Sequence, residues 1–165
     1  MTEVWLRGEI VDGVPPLLQP VAHSLLQSRQ EVERLLAGSE PGELWRSRDG
    51  AATLGFHVLH AIGSLDRLLT YARGAMLSDS QLLVLKQEAQ PDPELTGDDL
   101  IAAFDAAVTR ALDQLRETDE RTLTDDRHVG RAKLRSTVLG LLFHAAEHTQ
   151  RHVGQAVTTG KLRHA

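Results

Sequence analysis

The amino-acid sequence predicts an all-α protein, a four-helix bundle. Two observations carry this. Four long stretches repeat their apolar side chains at spacings of three, four and seven, the period of one helix face. Between them there is little alternating, strand-like pattern, and segments of this kind bury their stripes by packing against one another.

Residues 1–14 read as irregular. Pro15 and Pro16 suit a first helical turn, where a missing N–H costs nothing, and they open a helix with the stripe Leu18, Val21, Leu25, Val32 and Leu35. Gly38 and the Pro41–Gly42 pair end it, and residues 42–50 are expected to form a loop. The second helix runs from about Ala51 to Arg73, with Leu54, Val58, Ala61, Leu65 and Leu68 on one stripe and Gly74 as its stop. Ser78 can cap a short helix reaching Lys86, and the stretch from Gln90 to Glu94, with its two prolines, is a connector. A third helix begins near Gly97, where Asp98 and Asp99 suit the positive end of the helix dipole. Its stripe is Ile101, Phe104, Val108, Ala111 and Leu115. Residues 119–133 are polar, with a small hairpin expected across His128 to Gly130. The fourth helix starts near Leu134 or Ser136 and runs to about Thr159, with Gly160 as its stop.

Length and composition narrow the function. At 165 residues the chain suits one domain, residues 1–165, with a sizeable core. A net charge of −5, few aromatic residues and no basic cluster argue against a nucleic-acid partner. Without cysteine, a disulfide, an iron–sulfur cluster or a thiolate metal site is excluded, so any metal must be held by His, Asp or Glu. No apolar run approaches the roughly 20 residues of a membrane span, and no signal peptide is read. A cytoplasmic protein without a membrane partner is expected.

Histidines carry the chemistry. His144, His148 and His152 recur every four residues along the fourth helix, so that successive rings stack on one face. The apolar seam of Val138, Leu141 and Ala145 continues, in the same rhythm, onto His148, His152 and Gln155. Burying such groups without partners costs about 1–3 kcal/mol each. Hydrogen bonds to neighbouring helices could compensate; a metal ion would do so for two imidazoles at once. The second helix offers His57 and His60 as a third ligand, and spacing alone prefers neither. Gly154, costing roughly 1 kcal/mol in mid-helix, suggests close approach of another backbone or a ligand. His144-Ala-Ala-Glu147-His148 matches the H-x-x-E-H pattern of inverted zinc proteases, in which the Glu is a general base. The chain is too short and too uniformly helical for that architecture, so Glu147 reads first as a solvated or supporting group and only then as a catalytic candidate. His23, His128 and His164 are isolated and read as surface residues. No Glu-x-x-His pair of a di-iron bundle, no P-loop and no nucleophile elbow occurs.

A histidine on the second helix followed by His148-Thr-Gln-Arg-His152-Val-Gly154-Gln155 on the last resembles the DinB-like (YfiT-like) metalloenzyme superfamily, and helix order and length extend the resemblance over most of the chain. The resemblance implies a long crossover connecting antiparallel helix pairs, a homodimer, and zinc or nickel in a three-His site. His148 and His152 become two of its ligands. His60, followed by Ala61-Ile-Gly-Ser-Leu-Asp66-Arg67-Leu68, best matches the third, with His57 the alternative. It also implies a small-molecule substrate, since characterised relatives include thiol S-transferases using bacillithiol and a mycothiol-dependent isomerase. Three protein ligands with one open position form the catalytic kind of site. The expected function is therefore metal-dependent activation of a low-molecular-weight thiol or of water. The alternative is a non-catalytic metal-binding or stress-response interaction protein.

Overall fold

The computed structural model describes residues 2–47 and 50–162. Six helices dominate those residues: α1 (Gln19–Leu36), α2 (Pro41–Leu44), α3 (Leu54–Ala72), α4 (Asp79–Gln87), α5 (Gly97–Glu117) and α6 (Val138–Leu162). One antiparallel hairpin, β1 (Asp126–Val129) and β2 (Leu134–Thr137), joins α5 to α6. Among the long helices, α6 packs on α3 and α1, and α5 packs on the same two. The contact of α3 with α6 is the most extensive, and this pair brings the histidines together.

The predicted stripes form the core. Leu18, Leu25 and Val32 meet Leu54, Val58, Ala61 and Leu65, together with Phe104, Val108, Ala111 and Leu115, all buried. Each large apolar side chain removed from water in this way stabilises the fold by about 1.5–3 kcal/mol. Helix starts follow local chemistry. The Thr53 hydroxyl accepts from the Phe56 N–H and begins α3 at Leu54, the first residue of its stripe and three residues after the expected start at Ala51. Thr96 and Asp99 form a reciprocal capping box at α5, and Ser78 and Gln81 form another at α4.

Several boundaries differ from expectation for identifiable reasons. Pro16–Leu18 form a 3₁₀ turn, and α1 proper begins at Gln19. Pro41–Leu44, expected as loop, make one helical turn closed by Glu40 and Glu43. Leu134–Thr137 are strand rather than helix; the spacing of Leu134 to Val138 and Leu141 fits a helix, yet Leu134 is exposed and pairs with Val129. α6 starts only where the Thr137 hydroxyl accepts from the Gly140 N–H. At the other end Gly160 does not stop α6, because it is buried within a helix that continues to Leu162. Leu36 and Leu69 are core residues as well, whereas Leu17 is exposed.

α4 is unusual. None of its residues is buried, and Leu82, Leu83, Val84 and Leu85 face solvent to differing extents. It is fastened to α3 by polar side chains. The Gln81 amide donates to Asp66 Oδ2 at 2.6 Å and to Thr70 Oγ1 at 2.8 Å. At its end Glu88, 4% exposed, reaches into the space beside α3. Among the described residues no helix is long and apolar enough to cross a membrane.

Candidate metal centre

The centre lies where α3 and α6 face each other. His57 and His60 stand three apart on one helix, and His148 and His152 four apart on the other, so each pair projects to one side. His60 Nε2 lies 3.1 Å from His148 Nε2. The His60 and His152 rings are 4.4 Å apart between centroids, and those of His148 and His152 4.6 Å. Each of His60, His148 and His152 offers one nitrogen, and these nitrogens all lie within 4.8 Å of one another. His57 is buried beside them, with its Nδ1 3.3 Å from His152 Nδ1.

The residues present fit a cation. Two nitrogens on one tetrahedral ion, with bonds of about 2.0–2.1 Å, sit roughly 3.3 Å apart. The 3.1 Å between His60 and His148 is close to that separation. His148 Nδ1 is buried and has no hydrogen-bond partner among the described residues, so Nε2, which faces His60, is the nitrogen placed to share a cation. The electrostatics also suit ligation. Burial holds the His152 imidazole down to about 4, helped by the neighbouring His60, His148, His57 and Arg151. Burial likewise lowers His148, with His60, His144 and Arg151 adding to it, and lowers His57, with His60 adding to it. All three rings are therefore neutral near pH 7, which leaves a lone pair on each for a metal.

A buried acidic group completes the cluster. Glu88 Oε2 accepts from His60 Nδ1 at 2.8 Å, and Arg67 forms an ion pair with the same carboxylate. Burial works to raise the Glu88 carboxyl, but hydrogen bonds from His60 and Arg67 and the Arg67 charge outweigh it, so the group stays below its ordinary value and ionised. The His60 ring also stacks on Phe56, centroids 5.4 Å apart and planes 20° from parallel.

Of the residues singled out in the sequence, His57, His60, His148 and His152 converge. Others do not. The buried stripe of α6 passes from Ala145 and Ala146 to Thr149, Val153 and Ala156, so the histidines lie half-buried on its shoulder and Gln155 is exposed. A Cβ at Gly154 would meet nothing within 4 Å, so no backbone approaches there. His144 and Glu147 lie toward solvent; Glu147 pairs with Arg151 and, at 3.2 Å, with His144 Nδ1. His23 Nε2 lies 2.9 Å from the Glu9 carbonyl, His128 is exposed on β1, and His164 lies outside the described residues. Sequence reasoning missed Glu88. Its signal lies in tertiary structure, since 28 residues separate it from His60.

Fold and site thus define a mostly helical protein whose two most extensively packed helices present a three-histidine group able to hold a metal ion. The sequence matches the DinB superfamily over residues 24–156, and the chain belongs to that family. Its fold is similar to that in the crystal structure of a conserved protein of a locus from Enterococcus faecalis. That likeness has a TM-score of 0.71 and 19% identity, covering 88% of this chain and 96% of the other. No curated protein matches the sequence significantly.

Proposed function

We propose that this chain is a metal-dependent enzyme, one DinB-like four-helix-bundle domain over residues 1–165 with a long crossover. His60, His148 and His152 hold a divalent cation, zinc or nickel. The observation that carries the reading is the convergence of three imidazole nitrogens within 4.8 Å of one another. His60 is favoured over His57 as third ligand because it approaches both histidines of α6, whereas His57 meets His152. Held there, a divalent cation supplies a nucleophile at neutral pH by lowering the pKa of water to about 7 or deprotonating a thiol. The chain's own part is to hold the His148 and His152 imidazoles neutral and all three rings in place. A cleft of about 550 Å³, lined by Leu59, Ile62, Val84, Glu88, Pro91 and Leu95 and by none of the histidines, meets the cluster at Glu88. Its apolar walls suit a small organic substrate, and a low-molecular-weight thiol is the partner we assign. Cytoplasmic location and a homodimer belong to the same reading; sedimentation as a monomer at micromolar concentration would remove the dimer from it.

Metal analysis of the purified protein tests the reading. About one equivalent of zinc or nickel is expected in the wild type, and its loss in His148→Ala and His152→Ala. Stoichiometric metal unchanged by both substitutions overturns it. A second reading, a non-catalytic metal-binding protein acting through a partner, draws on one observation: the Glu147 carboxylate is engaged by Arg151 and His144 rather than free to act as a base. Metal-dependent turnover of thiols with model electrophiles separates the two.

A further inference from the structure

The pair Glu88–Arg67 has no counterpart in the histidine pattern, yet it is the most deeply buried charge pair near the cluster. Its placement is costly. A carboxylate taken out of water is tolerated only when paired and hydrogen-bonded, and every other residue from Asp79 to Gln87 stays out of the core. α3 is shaped to receive it. His60, Gly63 and Arg67 fall at i, i+3 and i+7, along one face of the helix. A Cβ on Gly63 would collide with Glu88 Oε1 and lie 2.7 Å from Arg67 Nη1. The missing side chain is therefore the space the carboxylate occupies.

We propose that Glu88, held by Arg67 in the notch at Gly63, is a positioning residue that fixes the tautomer and ring direction of His60. An ionised carboxylate only accepts hydrogen bonds. Its bond to His60 Nδ1, 2.8 Å long, therefore places the ring proton on Nδ1. Nε2, the atom that faces His148, is left with its lone pair. A carboxylate behind a metal-binding imidazole also raises its basicity, and losing such a partner typically costs 10–100-fold in metal affinity. The inference rests on the metal reading for its purpose, but the tautomer is a property of the metal-free protein.

Glu88→Gln is the informative change, because it keeps the shape. Arg67 can only donate, so it takes the amide oxygen. The amide NH₂ then turns toward His60 Nδ1, which must accept, and the ring proton moves to Nε2 where it blocks ligation. Two measurements test this. Long-range ¹⁵N NMR of the metal-free protein locates the His60 proton, with Nδ1–H expected in the wild type and Nε2–H in Glu88→Gln. Cobalt(II) titration against a chromogenic chelator reads affinity, with a 10–100-fold loss expected in Glu88→Gln and a similar loss in Gly63→Ala, where the notch is filled. A wild-type His60 protonated on Nε2 overturns the proposal, as does unchanged cobalt affinity in Glu88→Gln. If that variant does not fold, the wild-type tautomer alone decides. A wild type that binds no cobalt defeats the metal reading instead, and the tautomer then still decides the role of Glu88.

Discussion

A half-buried imidazole can keep its nitrogens content in two ways: by finding hydrogen-bond partners or by sharing a cation. Of the four clustered rings only His60 has a carboxylate partner, and His148 Nδ1 has none among the described residues. Burial and the neighbouring rings make protonating His57, His148 or His152 unfavourable. This gives a pH dependence with a definite sign. In the unfolded chain each imidazole takes up a proton near its ordinary value of 6.5, whereas the folded chain keeps His152 neutral down to about 4 and lowers His57 and His148 as well. Between those values the unfolded state binds more protons, so stability rises with pH there. The metal-free protein is therefore expected to be most stable above pH 6.5 and to weaken steadily as pH falls toward 4. Urea midpoints measured across that range, with His152→Ala as comparison, check it. A wild-type slope no steeper than the variant's would show that the imidazoles are not held neutral by the fold.

At the scale of elements, most of what was readable concerned stripes and most of what was hidden concerned ends. The core positions of α1, α3 and α5 follow directly from spacing, because burial at a 3.6-residue period leaves a regular trace. α6 followed the same rule, yet its stripe passes from Ala145 through Thr149 to Val153, a path that a count onto His148 and His152 misses. The hairpin took Leu134–Thr137 out of the helix through pairing with residues 126–129, information that is not local. One end has a clear steric cause. Gly97 N–H donates to the Ser39 carbonyl at 3.1 Å, and a Cβ at Gly97 would collide with the Leu36 carbonyl oxygen. Backbone atoms cannot step aside as a flexible side chain can. Gly97→Ala is therefore expected to destabilise by about 1–3 kcal/mol, the usual cost of overpacking. Thr96→Ala, which removes the cap but leaves the contact, is expected to cost about 1 kcal/mol. Denaturant midpoints with unchanged slopes give both numbers, and an alanine tolerated without loss at Gly97 would mean that α1 and α5 are not held this closely.

At the scale of the whole molecule, the candidate site and the most extensive helix contact are the same place. Two of its histidines were legible as an i, i+4 pair, and the partner helix as the only other segment with two histidines. The choice of His60, and the carboxylate behind it, required knowing which faces meet. That coincidence has a thermodynamic consequence. The three imidazoles come from α3 and α6, 88 residues apart between His60 and His148, so the site exists only in the folded chain. A cation that binds the native state alone stabilises it by an amount set by its concentration relative to Kd, about 2.7 kcal/mol at one hundred times Kd. For a chain of this size each kcal/mol moves Tm by roughly 2–4 °C. Saturating zinc or nickel is thus expected to raise Tm by about 5–11 °C over the chelator-treated protein. In His60→Ala, which takes the α3 ligand away while keeping both histidines of α6, the shift should shrink to a small fraction. Calorimetry with and without metal makes the comparison. An equal shift in wild type and variant would place the cation on α6 alone or elsewhere, and the cluster would then not be what ties the two helices together.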